Sequence, residues 1–146
     1  MNAIDLLVKE HNRVRAMMED IADESHHFET QKKRFEQLAE DLIRHEEMEH
    51  TVWYPHFKND VPDTVKHLLK EEQTAEKEIH KMMRLNTENE WKQHFIKFKK
   101  DVEHHAQEEE QDLFPEVAKI LSEKKLLEIG SEMNAFKKMY AEQSKH

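Results

Sequence analysis

His45 with Glu49, and His105 with Glu109, are two histidine–glutamate pairs, each spaced four residues apart. On an α-helix, residues i and i+4 share one face, about 6 Å apart along the axis. Each His-x-x-x-Glu therefore presents an imidazole and a carboxylate to the same point. An imidazole ligates a metal terminally, whereas a carboxylate can bridge two cations. The chain has no cysteine, so thiolate metal sites, disulfides and cysteine nucleophiles are excluded. Nitrogen and oxygen donors alone suit iron, with manganese and zinc as the other candidates.

The pairs belong to longer segments that echo one another. His45-Glu46-Glu47-Met48-Glu49 leads to Trp53-Tyr54-Pro55, and His105-Ala106-Gln107-Glu108-Glu109 leads to Leu113-Phe114-Pro115. In both, the histidine stands ten residues before the proline and the glutamate six before it. Two antiparallel helix pairs related by a pseudo-twofold would bring such copies face to face, a geometry for a binuclear site.

Long amphipathic helices must position these residues. Ile4, Leu7, Val14, Met18 and Ile21 set a 4-3 apolar spacing over a helix from about Ile4 to Asp23, and His11 fills its gap. A second helix, about Gln31 to Tyr54, shows Phe35, Leu38, Leu42 and Val52, with His45 and Glu49 in the gaps. Pro62 opens a third helix that reaches about Leu85, and Thr87-Glu88-Asn89-Glu90 reads as a capping box for a fourth. The fourth carries Trp91, Phe95, Phe98 and Val102, then His105 and Glu109 on the same stripe. Ser122 caps a final amphipathic segment with Leu126, Ile129, Met133, Phe136 and Tyr140. Short loops between long helices predict an all-α fold: an antiparallel up-down four-helix bundle with an additional C-terminal helix. The expected organisation is one domain over 1–146, with the four-helix core at about 4–114 and the C-terminal segment at about 116–143.

Composition agrees. One glycine and three prolines leave little strand-turn punctuation, and the 38% of charged residues are mostly good helix formers. The net charge of −9 excludes nucleic acid as an expected partner, because phosphates need basic surface. No apolar run approaches the roughly 20 residues that span a bilayer, and no signal peptide is visible, so no membrane partner is expected and the protein is expected to be cytoplasmic. Twelve histidines prove nothing by number, since His26, His27 and His146 read as loop or surface residues. Position is what counts. A single histidine on an apolar stripe is usually a hydrogen-bonded core residue. Five polar residues at matching depth on three helices, His11, His45, Glu49, His105 and Glu109, are not, because buried carboxylates need a partner or a metal.

The residues resemble the hemerythrin-like, HHE cation-binding family. The likeness rests on Asn2-Ala3-Ile4-Asp5-Leu6-Leu7 running into Glu10-His11, on His45…Glu49…Tyr54-Pro55, and on Val102-Glu103-His104-His105…Glu108-Glu109-Glu110…Leu113-Phe114-Pro115. The resemblance implies a non-haem di-iron centre with Glu49 and Glu109 as bridging carboxylates and His11, His45 and His105 as terminal ligands. His104 points about 100° away from His105 and reads as a surface or supporting residue.

The third helix departs from the family, whose members carry a ligand histidine there. Gln73 stands where it is expected, on a polar stripe of Leu69, Gln73, Glu76, His80 and Met83. Glu76 is the expected replacement because helical side chains lean toward the N-terminus. His80 reaches the site only if the helix shifts in register, and Glu72 has the right depth but stands at the edge of the stripe.

The resemblance implies a protein that binds or reacts with a small ligand such as dioxygen, nitric oxide or peroxide. An extra anionic ligand favours the ferric state, away from reversible oxygen carriage and toward sensing or oxidative, nitrosative or iron stress protection, with a separate redox or signalling partner. Iron-centre repair or iron binding is the alternative. A ferritin-like carboxylate redox enzyme is the structural runner-up, but Glu47-x-x-His50 falls off the apolar stripe and has no second copy.

Overall fold

A computed structural model describes residues 1–144, so His146 lies outside the described residues. Helix α1 (Ala3–Ala22) and α2 (Phe28–Met48) form one antiparallel pair, and α3 (Pro62–Met83) and α4 (Glu88–Glu108) the other. Further contacts between α2 and α3 and between α1 and α4 close an all-α four-helix bundle. A short helix α5 (Phe114–Ile120) follows, and α6 (Glu123–Ser144) packs outside the bundle against α1 and α2.

Local chemistry sets most boundaries. Asn2 caps α1, its Oδ1 accepting from the Asp5 N–H at 2.8 Å, and the Ser122 hydroxyl caps α6 by accepting from the Lys125 N–H at 3.1 Å. Pro62 occupies the first turn of α3, where no N–H is needed. The expected capping box at Thr87 does not form: Thr87 is the N-cap residue of α4, but its side chain makes no cap hydrogen bond.

Neither ligand-bearing helix ends where its α-geometry ends. After Met48, residues Glu49–Trp53 form a π-helical turn in which the Tyr54 N–H bonds the Glu49 carbonyl, and Glu109–Leu113 repeats this with Phe114. The cause lies just downstream. Pro55 and Pro115 lack an N–H and would clash with the carbonyl four residues earlier, so the chain widens its turn before each. Both widened turns begin at a candidate ligand, Glu49 or Glu109.

The core divides in two. One apolar cluster includes Leu7, Met48, Trp53, Leu68, Leu113 and Ile129, and the other Met18, Phe35, Leu38, Ile79, Trp91 and Phe98. Between them lies a buried polar layer of His11, His45, Glu46, Glu49, Glu72 and Glu109. The buried face of α3 is Val65, Leu68, Glu72, Ile79 and Met82, which corrects the stripe read through Leu69 and Met83. The two series differ by one residue, a rotation of about 100° on a helix.

Candidate metal centre

The polar layer gathers its donors into two groups that share a residue. His11, His45 and Glu109 bring one ligand atom each within 4.8 Å of one another, and so do Glu49, Glu72, His105 and Glu109. Within each His-x-x-x-Glu pair the Nε2–oxygen distance is short, 2.9 Å for His45–Glu49 and 2.7 Å for His105–Glu109. Glu109 also lies 3.9 Å from His11 Nε2, and Glu72 lies 3.3 Å from His105 Nε2. The His11 and His45 rings are 5.4 Å apart, and Phe114 stacks on His11.

Every one of these imidazoles is held from behind by a carboxylate. His11 Nδ1 meets Glu110 at 2.7 Å, His45 Nδ1 meets Glu10 at 2.9 Å, and His105 Nδ1 meets Glu71 at 2.9 Å. A carboxylate accepts, so each Nδ1 carries the proton and each Nε2 is turned inward, where it could ligate a metal. The supports are themselves anchored: Arg15 bonds Glu110 and Glu103, and Lys137 of α6 reaches Glu10 at 2.5 Å.

The sequence reading places His11, His45, Glu49, His105 and Glu109 together, and they come together. On the third helix it expects Glu76, or His80 after a register shift, and the structure brings neither to the two groups but Glu72 instead. Glu72 occupies that position, fully buried, with His50 Nε2 at 2.7 Å and the Tyr54 hydroxyl donating at 2.6 Å. Glu76 is half-buried and outside both groups, and His80 is exposed, because each lies off the buried face of α3. The spacing Val65, Leu68, Ile79, Met82 leaves a gap at Glu72, and that gap is the signal that finds it. Glu10, Glu71 and Glu110 carry no such signal, being three acids among 32.

The electrostatics suit a buried cation. Burial first, then the charge of Glu109, pushes Glu49 up to about 8. Burial pulls the His45 and His105 imidazoles down, but Glu49 and Glu10 around His45, and Glu109 and Glu71 around His105, raise both well above the ordinary value. Burial also acts on Glu72, yet hydrogen bonds from His105, His50 and Tyr54 bring it down to about 2. Both oxygens of Glu49 and of Glu109, and His105 Nε2, are buried without a hydrogen bond of good geometry. Buried carboxylate oxygens left without a hydrogen bond suit a cation, and the donor set of three imidazoles and three carboxylates fits two ions of the iron, manganese or zinc class.

A cavity of about 40 Å³ adjoins this layer, bounded by Val14, Met18, Leu42, Val102 and Ala106 on its apolar side. On the outer face, His67, Glu71 and Glu108 form a separate, more exposed group. No helix among the described residues is long and apolar enough to cross a membrane.

Residues 2–117 match the hemerythrin HHE cation binding domain. No curated protein and no solved structure matches the chain. The matched span holds every residue of both donor groups, from His11 to Glu109, and the chain belongs to the hemerythrin HHE cation-binding family.

Proposed function

We propose that this protein is a non-haem di-iron protein that binds or reacts with a small ligand such as dioxygen, nitric oxide or peroxide, in sensing or in oxidative, nitrosative or iron stress protection. The observation that carries this reading is the pair of donor groups joined at Glu109, with both its oxygens and both those of Glu49 left without hydrogen bonds. His11 and His45 would hold one ion, and His105 with Glu72 the other, with Glu49 and Glu109 between them. When bound, iron supplies an open coordination position and a change of oxidation state.

The remaining chemistry belongs to the chain. Glu10, Glu71 and Glu110 fix the orientation of the three imidazoles and raise their basicity. Val14, Met18, Leu42 and Val102 limit the space beside the centre to a cavity that admits about two or three water-sized molecules, which selects small ligands. Glu72 adds a negative charge where the family carries a neutral imidazole. That charge stabilises the higher oxidation state, which favours sensing or turnover over reversible carriage.

The test is elemental analysis of protein expressed with iron, together with the visible spectrum before and after oxygen meets the reduced form. Two irons per chain that oxidise and stay oxidised support the proposal. A spectrum that returns on removing oxygen would mean a carrier, and a protein free of metal would end the reading.

A further inference from the structure

A second cluster of histidines and glutamates lies outside the buried centre, where α3 packs on α4. His67 and Glu71 stand four residues apart on α3, and His104 and Glu108 four apart on α4. His67 Nε2 faces both carboxylates, 2.8 Å from Glu108 Oε2 and 3.5 Å from Glu71 Oε2. One ring nitrogen carries at most one proton, so it donates well to only one of these oxygens. Among the described residues, no lysine or arginine pairs with either carboxylate. Their other oxygens are already held. Glu71 Oε1 accepts from His105 Nδ1 at 2.9 Å, and Glu108 Oε1 contacts His104 Nε2. Each carboxylate is thereby pinned with one oxygen turned toward His67.

Three donors from two helices therefore meet at one point, with a ligand atom each from His67, Glu71 and Glu108 within 4.8 Å of one another. We propose that His67, Glu71 and Glu108 form a separate surface site for one divalent ion of the zinc class. Two carboxylates and a neutral imidazole balance its two positive charges. Nitrogen and oxygen donors without sulfur suit zinc, copper(II) or nickel, and three protein ligands leave a fourth, tetrahedral position to water. Supporting partners that hold ligands in place are what make such a set more than a chance meeting of side chains, and His104 and His105 supply them. His67 is 58% exposed and lies between two surface grooves, one reaching Asp112 and the other His104, so a hydrated ion reaches it from solvent. The site shares no donor with the buried centre. It touches that centre through Glu71, which turns one oxygen to His105 and the other to His67.

The experiment titrates zinc into protein expressed with iron and compares wild type with His67→Gln, Glu108→Gln and His56→Gln. Elemental analysis counts zinc and iron per chain, and competition with a chromophoric chelator gives the zinc affinity. His67 is exposed, so its variant is expected to fold, as helicity and melting temperature check. Wild type should take up one zinc per chain with its iron content unchanged. His67→Gln and Glu108→Gln should each bind that zinc at least about tenfold more weakly, since even the loss of a supporting residue has effects on this scale. His56 also faces a carboxylate, Glu132 at 3.3 Å, but only one, so His56→Gln should bind zinc as wild type does. No zinc uptake, or wild-type affinity in His67→Gln, would overturn the assignment. An equal loss in His56→Gln would mean an adventitious ion only and would overturn it too. A chain that takes up no iron would end the di-metal reading, and the difference in zinc affinity between wild type and His67→Gln would still decide this site.

Discussion

Lys137, near the far end of the C-terminal helix, reaches Glu10 at 2.5 Å, and Glu10 holds His45 Nδ1 at 2.9 Å. A helix beyond the matched family span is thereby wired to a candidate ligand. Together His45 and Lys137 outweigh the effect of burial and bring Glu10 down to about 2. A group whose folded value is depressed contributes stability that is present above its unfolded value of 4.5 and lost as the pH falls toward 2. Lys137→Met removes one support of that carboxylate while keeping the length of the chain. Metal affinity should fall by a few-fold, less than the roughly 10–100-fold seen when a direct partner of a ligand is lost. Competition with a chelator measures it, and unchanged affinity would show that α6 only covers the bundle.

Glu72 makes a sharper case. Its oxygens face His105, His50 and Tyr54, and it is the only donor that α3 brings to the two groups among the described residues. Glu72→Gln keeps the shape and removes the charge. Iron content should drop from two toward one per chain, with the His11–His45 position retained. Elemental analysis decides, and full occupancy in the variant would mean that Glu72 belongs to the hydrogen-bond network alone.

The same residue marks where sequence reasoning stops. His11 and His45 were legible because each interrupts an otherwise apolar series, Leu7 to Val14 and Leu42 to Val52, and the matched distances to Pro55 and Pro115 tied Glu49 to Glu109. On α3, both Leu69 and Leu68, and both Met83 and Met82, are apolar, so two stripes one residue apart compete, and only Val65, Ala75 and Ile79 favour the one that carries Glu72. Packing chose the one that buries Val65 and Ile79. The π-turns were foreshadowed by the prolines but not their onset at Glu49 and Glu109. The carboxylates behind the imidazoles were hidden because their roles depend on which helices become neighbours: Glu71 serves His105 across α3 and α4, and Glu110 serves His11 across two elements 99 residues apart.

The metal-free protein should lose stability as the pH rises from 6.5 to 9. Glu49 and Glu46 are pushed up by burial, to about 8 and about 9, so the folded chain keeps protons that the unfolded chain has released above 4.5. Folding then binds protons, and stability falls with rising pH by about 1 kcal/mol per unit for each group. His45 and His105, raised by their carboxylates, act in the same direction: their contribution is present below 6.5 and lost as the pH climbs through their folded values. His11, lowered to about 4 chiefly by burial, works the other way but only below 6.5. Melting temperatures across this range should decline without metal and hold steady with it. Metal uptake at neutral pH should also release about three protons, from Glu49, His45 and His105, because the ligands must be deprotonated to bind. Calorimetry in buffers of different ionisation enthalpy counts them, and zero release would contradict the protonated cluster described here.

Gly130, the chain's single glycine, sits on α6 where the N-terminus crosses it. A Cβ there would lie 2.4 Å from the Met1 carbonyl oxygen and 3.2 Å from the backbone of Asn2 and Ala3. These are backbone atoms, and they cannot swing aside as a side chain would. Asn2 is committed locally as well, capping α1 through Asp5 and donating to Glu123 at the start of α6. In an open helix, alanine would stabilise the chain relative to glycine by about 0.5–1 kcal/mol. At this crossing the contact outweighs that gain, so Gly130→Ala should cost about 1–3 kcal/mol, the range for overpacking a close-fitted site. Chemical denaturation of the metal-free protein reads the difference directly. A more stable variant would mean that the N-terminal segment lifts away from α6 at little cost and that this crossing does not hold the first helix in place.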